Sequence, residues 1–253
     1  LYSVLPADGV GDFNFSRNTG ATRINKDGLI ETVAVGKSRL NYPLIDGVVN
    51  GCPSHLLEPE RLQKIQYSED FSNAAWTTLA SGETIVSNSV ISPDGTLNAD
   101  TLEGDGTATN VYLRNDITLS TSVDYTFSIF AKKGTNDFLA ISAEGFSGAT
   151  NTLLIFDLNN SIVTNGTGNI ENYGNGWLRC SFTIAISTDG IGRFLVYSSY
   201  NGTTRGFPTS SDANGQNIYI YGAMLEQGSY PTSYIPNYGT SAGVTRVAET
   251  ANG

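Results

Sequence analysis

Six Asn-Gly pairs, at 50, 165, 175, 201, 214 and 252, and six Asp-Gly pairs, at 8, 27, 46, 94, 105 and 189, punctuate this chain. Both dipeptides tolerate the positive φ that tight hairpins demand. Between them lie short runs in which apolar and polar residues alternate. The clearest span 110–118, 123–132, 137–144, 152–158, 177–187, 191–200 and 217–226, with weaker runs near 84–91 and 97–103. Alternation with period two puts one face of each run in a core. Strands at this spacing predict an all-β protein, an antiparallel β-sandwich. The composition agrees: 28 glycines and only 15% charged residues suit many strands and turns better than helices. A chain of 253 residues buries roughly 70–75% of its unfolded surface and needs no covalent staples.

Three segments follow from this pattern. Residues 1–66 read as an extended, β-rich leader with short pieces at Asp12-Phe13-Asn14-Phe15 and Gly28–Val33. The one helical turn expected lies at Pro59–Ile65, since Pro suits a helix start. Residues 67–236 form the sandwich. Residues 237–253 are small, polar and aperiodic, and read as a linker or tail.

The formal net charge of −10 sets the chain against phosphate backbones and anionic membrane surfaces, so neither nucleic-acid binding nor membrane insertion is expected. No apolar run approaches the roughly 18 residues of a membrane span. Of two cysteines, Cys180 shares an apolar face with Leu178, Phe182, Ile184 and Ile186, and is expected as a buried free thiol.

Aromatic residues supply the candidate sites. In the run 217–226, Ile218, Ile220, Gly222 and Met224 point one way, and Tyr219, Tyr221, Ala223 and Leu225 the other. A tyrosine-bearing outer face suits stacking on sugar rings. Tyr197 joins that surface if its strand, with Arg193, Leu195, Tyr197 and Ser199 on one mixed face, lies beside 217–226. Trp177 beside Arg179 is a further sugar-holding candidate. Arg205, in the polar loop 201–208 between Tyr200 and Phe207, is a recognition candidate of the kind rigid scaffolds carry. Each has a structural alternative: rings packed under the leader or against a subunit, a Trp clamped over a turn, a solvated hairpin. Asp94, Asp100, Asp105 and Asp116 raise a structural calcium ion, although their spacing matches no EF-hand loop. No metal ligand set, cofactor motif or catalytic constellation stands out, and His55 has no partner pattern, so a non-enzyme is expected.

A series of phrases adds a resemblance. Leu56-Leu57-Glu58-Pro59-Glu60-Arg61, Tyr67-Ser68-Glu69-Asp70-Phe71-Ser72-Asn73-Ala74-Ala75-Trp76, Pro93-Asp94-Gly95-Thr96, Gly176-Trp177-Leu178-Arg179, Tyr221–Gly228, Thr232-Ser233-Tyr234-Ile235-Pro236 and Thr245-Arg246 occur in that order. Together they resemble bacteriophage virion proteins, mainly tail-fibre or head-fibre components, whose core is a jelly roll like that of carbohydrate-binding modules. The chain departs from that pattern at Arg61-Leu62-Gln63, where the family has Arg-Thr-Asn. The resemblance implies a place in the virion, with other virion proteins as partners, and a homotrimer; the function expected is recognition of a host-surface glycan through the aromatic face or the loop of Arg205. Two alternatives stay open: a structural adaptor whose aromatic face is a subunit interface, and a polysaccharide depolymerase domain.

Overall fold

A computed structural model describes residues 14–76, 82–120, 123–146, 152–187 and 189–252. Asp12 and Phe13 of the expected leader piece lie outside the described residues. The leader carries short strands β1 (Asn14–Ser16), β2 (Ala21–Ile24), β3 (Ile30–Val33), β4 (Leu40–Asn41), β5 (Leu44–Ile45), β6 (Val48–Val49), β7 (Ser54–His55) and β8 (Arg61–Gln63). The body follows with β9 (Glu83–Ile91), β10 (Leu97–Gly104), β11 (Val111–Leu119), β12 (Asp124–Lys133), β13 (Phe138–Glu144), β14 (Thr152–Asp157) and β15 (Ile162–Asn165). It continues through β16 (Asn169–Gly174), β17 (Trp177–Ala185), β18 (Gly190–Ser199), the short helix α1 (Ser210–Ala213) and β19 (Asn217–Gln227). The tail adds β20 (Val244–Arg246) and β21 (Thr250–Asn252).

The body is an antiparallel β-sandwich. One sheet has the order β16-β17-β12-β19-β10-β9 and the other β11-β18-β13-β14-β15. Every run read as a strand in the sequence is one. Two Gly-ending pairs make hairpins with both central residues at positive φ: Asp46-Gly47 joins β5 to β6, and Asn175-Gly176 joins β16 to β17. Between the sheets lie Leu102, Leu113, Leu139, Phe156, Leu178 and Val196, all buried. Phe127 of one sheet stacks on Phe194 of the other at 4.9 Å and 13°. Cys180 is buried and free, and burial pushes its thiol pKa up. Trp76 is buried in this core, tilted against Phe71 at 4.9 Å.

Strict alternation fails in β19. Register against β12 slips between Ser128↔Met224 and Phe130↔Tyr221, so Gly222 and Ala223 together face Ile129. Gly222 has φ 61°, which marks a β-bulge of the kind that reverses the phase of a strand. Beyond it, Ala223 and Leu225 turn inward to join Ile218 and Ile220 in the core. Met224 turns outward with Tyr221.

The expected helical turn at Pro59–Ile65 is absent; Arg61–Gln63 is strand β8, paired with β20. The reason is tertiary. β10 pairs only with Asn217–Ile220, which leaves the rest of that edge of β19 open. The end of the leader and the residues just after it fill it: Lys64 N–H donates to Leu225 O and Ala223 N–H to Ser68 O, both at 2.9 Å. The Gln63 amide bonds Ala223 O and Leu225 N–H, each at 2.8 Å.

The tail is not a free linker over its described residues. β20 pairs with β8, and β21 pairs with β1. Leader and tail are joined by a buried charge network. Glu249 receives the guanidinium groups of Arg17 (2.8 Å) and Arg39, and Glu58 receives Arg39 at 2.8 Å and Arg246 at 3.0 Å. The side chains of Arg17, Arg39, Arg246 and Glu249 are wholly buried. Burial opposes ionisation of Glu249 and Glu58, but the neighbouring guanidinium groups and hydrogen bonds win, and both carboxyls sit below the ordinary range.

Candidate functional site

The sandwich has two outer faces, and they differ. On the six-stranded sheet, the outward residues Phe130, Trp177, Tyr221 and Met224 are buried with Ile30 of the leader and with Tyr234 and Ile235. Tyr221 is only 2% exposed. Its hydroxyl donates to Glu69 Oε1 and Asp94 Oδ2, both at 3.2 Å, and the Tyr234 hydroxyl donates to Glu69 at 3.0 Å. Burial raises the pKa of Glu69 despite those donors. Trp177 is 1% exposed, and its indole N–H donates to Ile91 O at 3.0 Å. Tyr219 packs on the rim of the same cluster, half-buried. The expectation that Tyr219 and Tyr221 form an open stacking platform is therefore corrected, and so is that of Trp177 beside Arg179 as a separate sugar-holding pair. The leader and the 230–236 segment lie on those rings, so the face is sealed by its own chain.

Tyr197 does not join them, because β18 belongs to the opposite sheet. It stands on the outer face of the five-stranded sheet and is itself buried there, 2% exposed beneath the Arg205 guanidinium. There Tyr112 of β11 is its cross-strand neighbour, with ring centroids 5.0 Å apart. Ala140, Ile155 and Leu195 form the floor around it, flanked by half-buried Phe138 and Leu153. The Arg205 guanidinium lies over the Tyr197 ring at 5.1 Å and donates from Nη1 to Glu144 Oε1 at 2.8 Å. Ser142 donates to the same oxygen at 2.9 Å. Desolvation opposes ionisation of Glu144, yet the Arg205 and Ser142 hydrogen bonds outweigh it and hold the carboxyl below its usual range. Tyr197 is raised, chiefly by burial.

The loop that delivers Arg205 is rigid for local reasons. Asn201 Oδ1 accepts the backbone N–H groups of Thr203 and Thr204, both at 2.8 Å, and both their hydroxyls. Such Asx turns fix a loop without tertiary help. Ser199 Oγ donates to Thr204 O at 2.8 Å. Phe207 is buried, with its N–H on Thr109 O at 2.8 Å. Arg205 thus sits on a loop held by its own hydrogen bonds.

Next along the sheet the face is charged. Asp116, Arg193 and Glu144 align across β11, β18 and β13. Arg114 forks onto Asp116. A polar groove of about 420 Å³ runs along the free edge of β11, bordered by Asp116, Asn115, Lys64 and Gln66. The face therefore passes from aromatic to charged within a few residues. Tyr112, Arg114 and Glu144 were not singled out in the sequence. The signal was present in the alternation Tyr112, Arg114, Asp116, but only register shows what those side chains meet.

The aspartates raised for calcium have other duties. Asp94 caps a turn through Ser92 and Thr96, and Asp105 does the same for Thr107. Asp100 accepts the N–H groups of Phe71 and Asn88, both at 2.9 Å. Among the described residues no group of three or more His, Cys, Asp or Glu side chains is placed to hold a metal ion. No helix among them is long and apolar enough to cross a membrane.

The sequence matches no known family profile and no curated protein. Among solved structures it is similar to the enzymatically active domain of bacteriophage CBA120 tailspike protein 4, at 11% identity and a TM-score of 0.43, over 66% of this chain and 22% of that one. It is similar to the CBM22-1-GH10 modules of Clostridium thermocellum endo-1,4-beta-D-xylanase 10B, complexed with xylohexaose, at 12% identity and a TM-score of 0.39, over 71% and 30%. A CBM4 structure aligns at 15% identity and a TM-score of 0.34, over 64% and 94%. The chain spans less than a third of either of the first two proteins.

Proposed function

We propose that this chain is a non-catalytic glycan-binding module of a phage particle, and that it holds a host-surface polysaccharide on the outer face of the five-stranded sheet. One observation carries the reading: Arg205 lies over Tyr197 and is anchored to Glu144, on the sandwich face opposite the one sealed by the leader and the 230–236 segment. A guanidinium fixed in this way offers its remaining donors to ligand oxygens, and Tyr112 beside it offers a partly exposed ring. Tyr197, Leu195, Ala140 and Ile155 are buried, so a ligand would meet the half-buried Tyr112 and Arg205 and the charged row beyond them. The ion pairs support binding over catalysis. A general acid needs a carboxyl raised toward neutrality, whereas Glu144 is lowered, and Asp116 is paired with Arg114. Weak single-site affinity would be multiplied by several copies on a particle, in keeping with a trimer.

The test is binding of the whole chain to a glycan array and to host polysaccharide, beside the Arg205→Ala and Tyr112→Ala variants. Loss of retention in both variants, with melting curves held, is the expected result. Wild-type retention that survives both changes, or release of reducing ends from the polysaccharide, would contradict the reading.

A further inference from the structure

We infer that the glycan taken by this face is anionic, a sugar chain bearing carboxylate or phosphate groups. This deepens the proposed function and rests on it. The argument is where the arginines are. Of the nine in the chain, six are tied to the leader side of the molecule. Arg17, Arg39 and Arg246 meet Glu249 and Glu58, Arg61 meets Glu226, Arg23 meets Glu31, and Arg179 bonds Thr232 O and Ser128 Oγ. The other three, Arg114, Arg193 and Arg205, all stand on the outer face of the five-stranded sheet or over it.

The charges on that face do not cancel. Asp116 is answered by Arg114 and Glu144 by Arg205. Arg193 sits in register between the two carboxylate-bearing positions and makes no hydrogen bond or ion pair of its own among the described residues. Arg205 engages Glu144 through Nη1 alone, so Nε and Nη2 keep their donors. Lys64, on the adjoining groove, adds a further cation with no ion pair among the described residues. In a chain with a net charge of −10, Arg193, the free donors of Arg205 and Lys64 thus stand together at this face, while the other lysines without an ion pair among the described residues, Lys37 and Lys132, lie apart from it. Guanidinium forks match planar carboxylates and phosphates, and gain more from them than from neutral hydroxyls. The acidic remainder of the surface repels a densely charged duplex, which separates this ligand from nucleic acid.

Isothermal titration of the whole chain with three probes tests the inference: oligogalacturonate, the same oligosaccharide with its carboxyls reduced, and a polyribosylribitol phosphate. The expected result is that at least one anionic probe binds on the order of tenfold or more tighter than the neutral one. That advantage shrinks in high salt and is lost in Arg193→Gln, while the exposed control Lys26→Gln leaves it intact. Arg205→Lys, which keeps the charge but not the fork, loses part of it. The two anionic probes tell carboxylate from phosphate. Equal or tighter binding of the reduced oligosaccharide, or an Arg193→Gln variant that folds and binds as wild type, overturns the charge inference and leaves the glycan reading standing. Binding of none of the three, with none on the glycan array, ends both.

Discussion

At φ 61°, Gly222 occupies a backbone conformation that side chains rarely adopt, and the missing Cβ leaves room for two rings. A Cβ built there would lie 2.9 Å from Phe130 Cδ2 and 3.2 Å from Tyr234 Cε2. Gly222→Ala should therefore destabilise the protein by about 2 kcal/mol or more, read as a lower urea midpoint. An unchanged midpoint would contradict the bulge. Tyr221 tests the neighbouring claim. Its ring is buried and its hydroxyl bonded, so Tyr221→Ala should cost about 3 kcal/mol while leaving glycan retention as it was. Arg205→Ala should do the reverse, with little change in stability, because its side chain is 40% exposed. At this scale the sequence named Tyr197 and Arg205, but it had no means of showing that the two touch.

The elements read from alternation were the easy part. β9 through β14 and β17 through β19 each announce themselves by period two, and most of their turns by Gly. What stayed hidden was anything decided by distant residues. β8 looks like a helix start because Pro59 precedes it, and becomes a strand because β19 has an open edge there. The tail looks like a linker because it is small and polar, yet Glu249 bonds Arg17 across 232 positions. Cutting the chain before β20 should lower the melting temperature and raise binding of a hydrophobic dye, as the rings under the leader are uncovered. Glu249→Ala alone should cost on the order of 3 kcal/mol, since it strands two buried guanidinium groups. The pH dependence has a defined sign. Glu58 and Glu249 have folded pKa values below the ordinary 4.5, so their stabilisation is complete above that value and is lost as pH falls through the lowered ones. Glu69 and Glu226, raised by burial, pull the other way by taking up protons more readily in the folded state. Denaturation between pH 6 and about 3 should show a steep loss that flattens in Glu249→Gln. A curve of equal slope in the variant would remove the Glu249 charge network from that account.

On the scale of the molecule, the leader settles which face is available. Once it covers the six-stranded sheet, the tyrosines that made 217–226 look like a platform become part of the interior. Tyr219→Ala with Tyr221→Ala should then lower stability without abolishing binding, in contrast to Arg205→Ala. The sandwich was legible because periodicity is local; the choice of face was not, because it depends on the leader docking on one sheet and leaving the other. A clean monomer by mass measurement in solution would leave the proposed face as it is and count against affinity multiplied across a trimer.

The pairing of β1 with β21 has a mechanical side. Asn14 lies opposite Asn252, so the described backbone enters and leaves at the same point. A pull on those two ends peels a three-residue ladder one rung at a time instead of shearing it. Load is next taken by the knot of guanidinium groups around Glu249, ahead of either sheet. In an optical trap the extension trace should open with a small early release, followed by a larger, higher-force rip as the sandwich gives way.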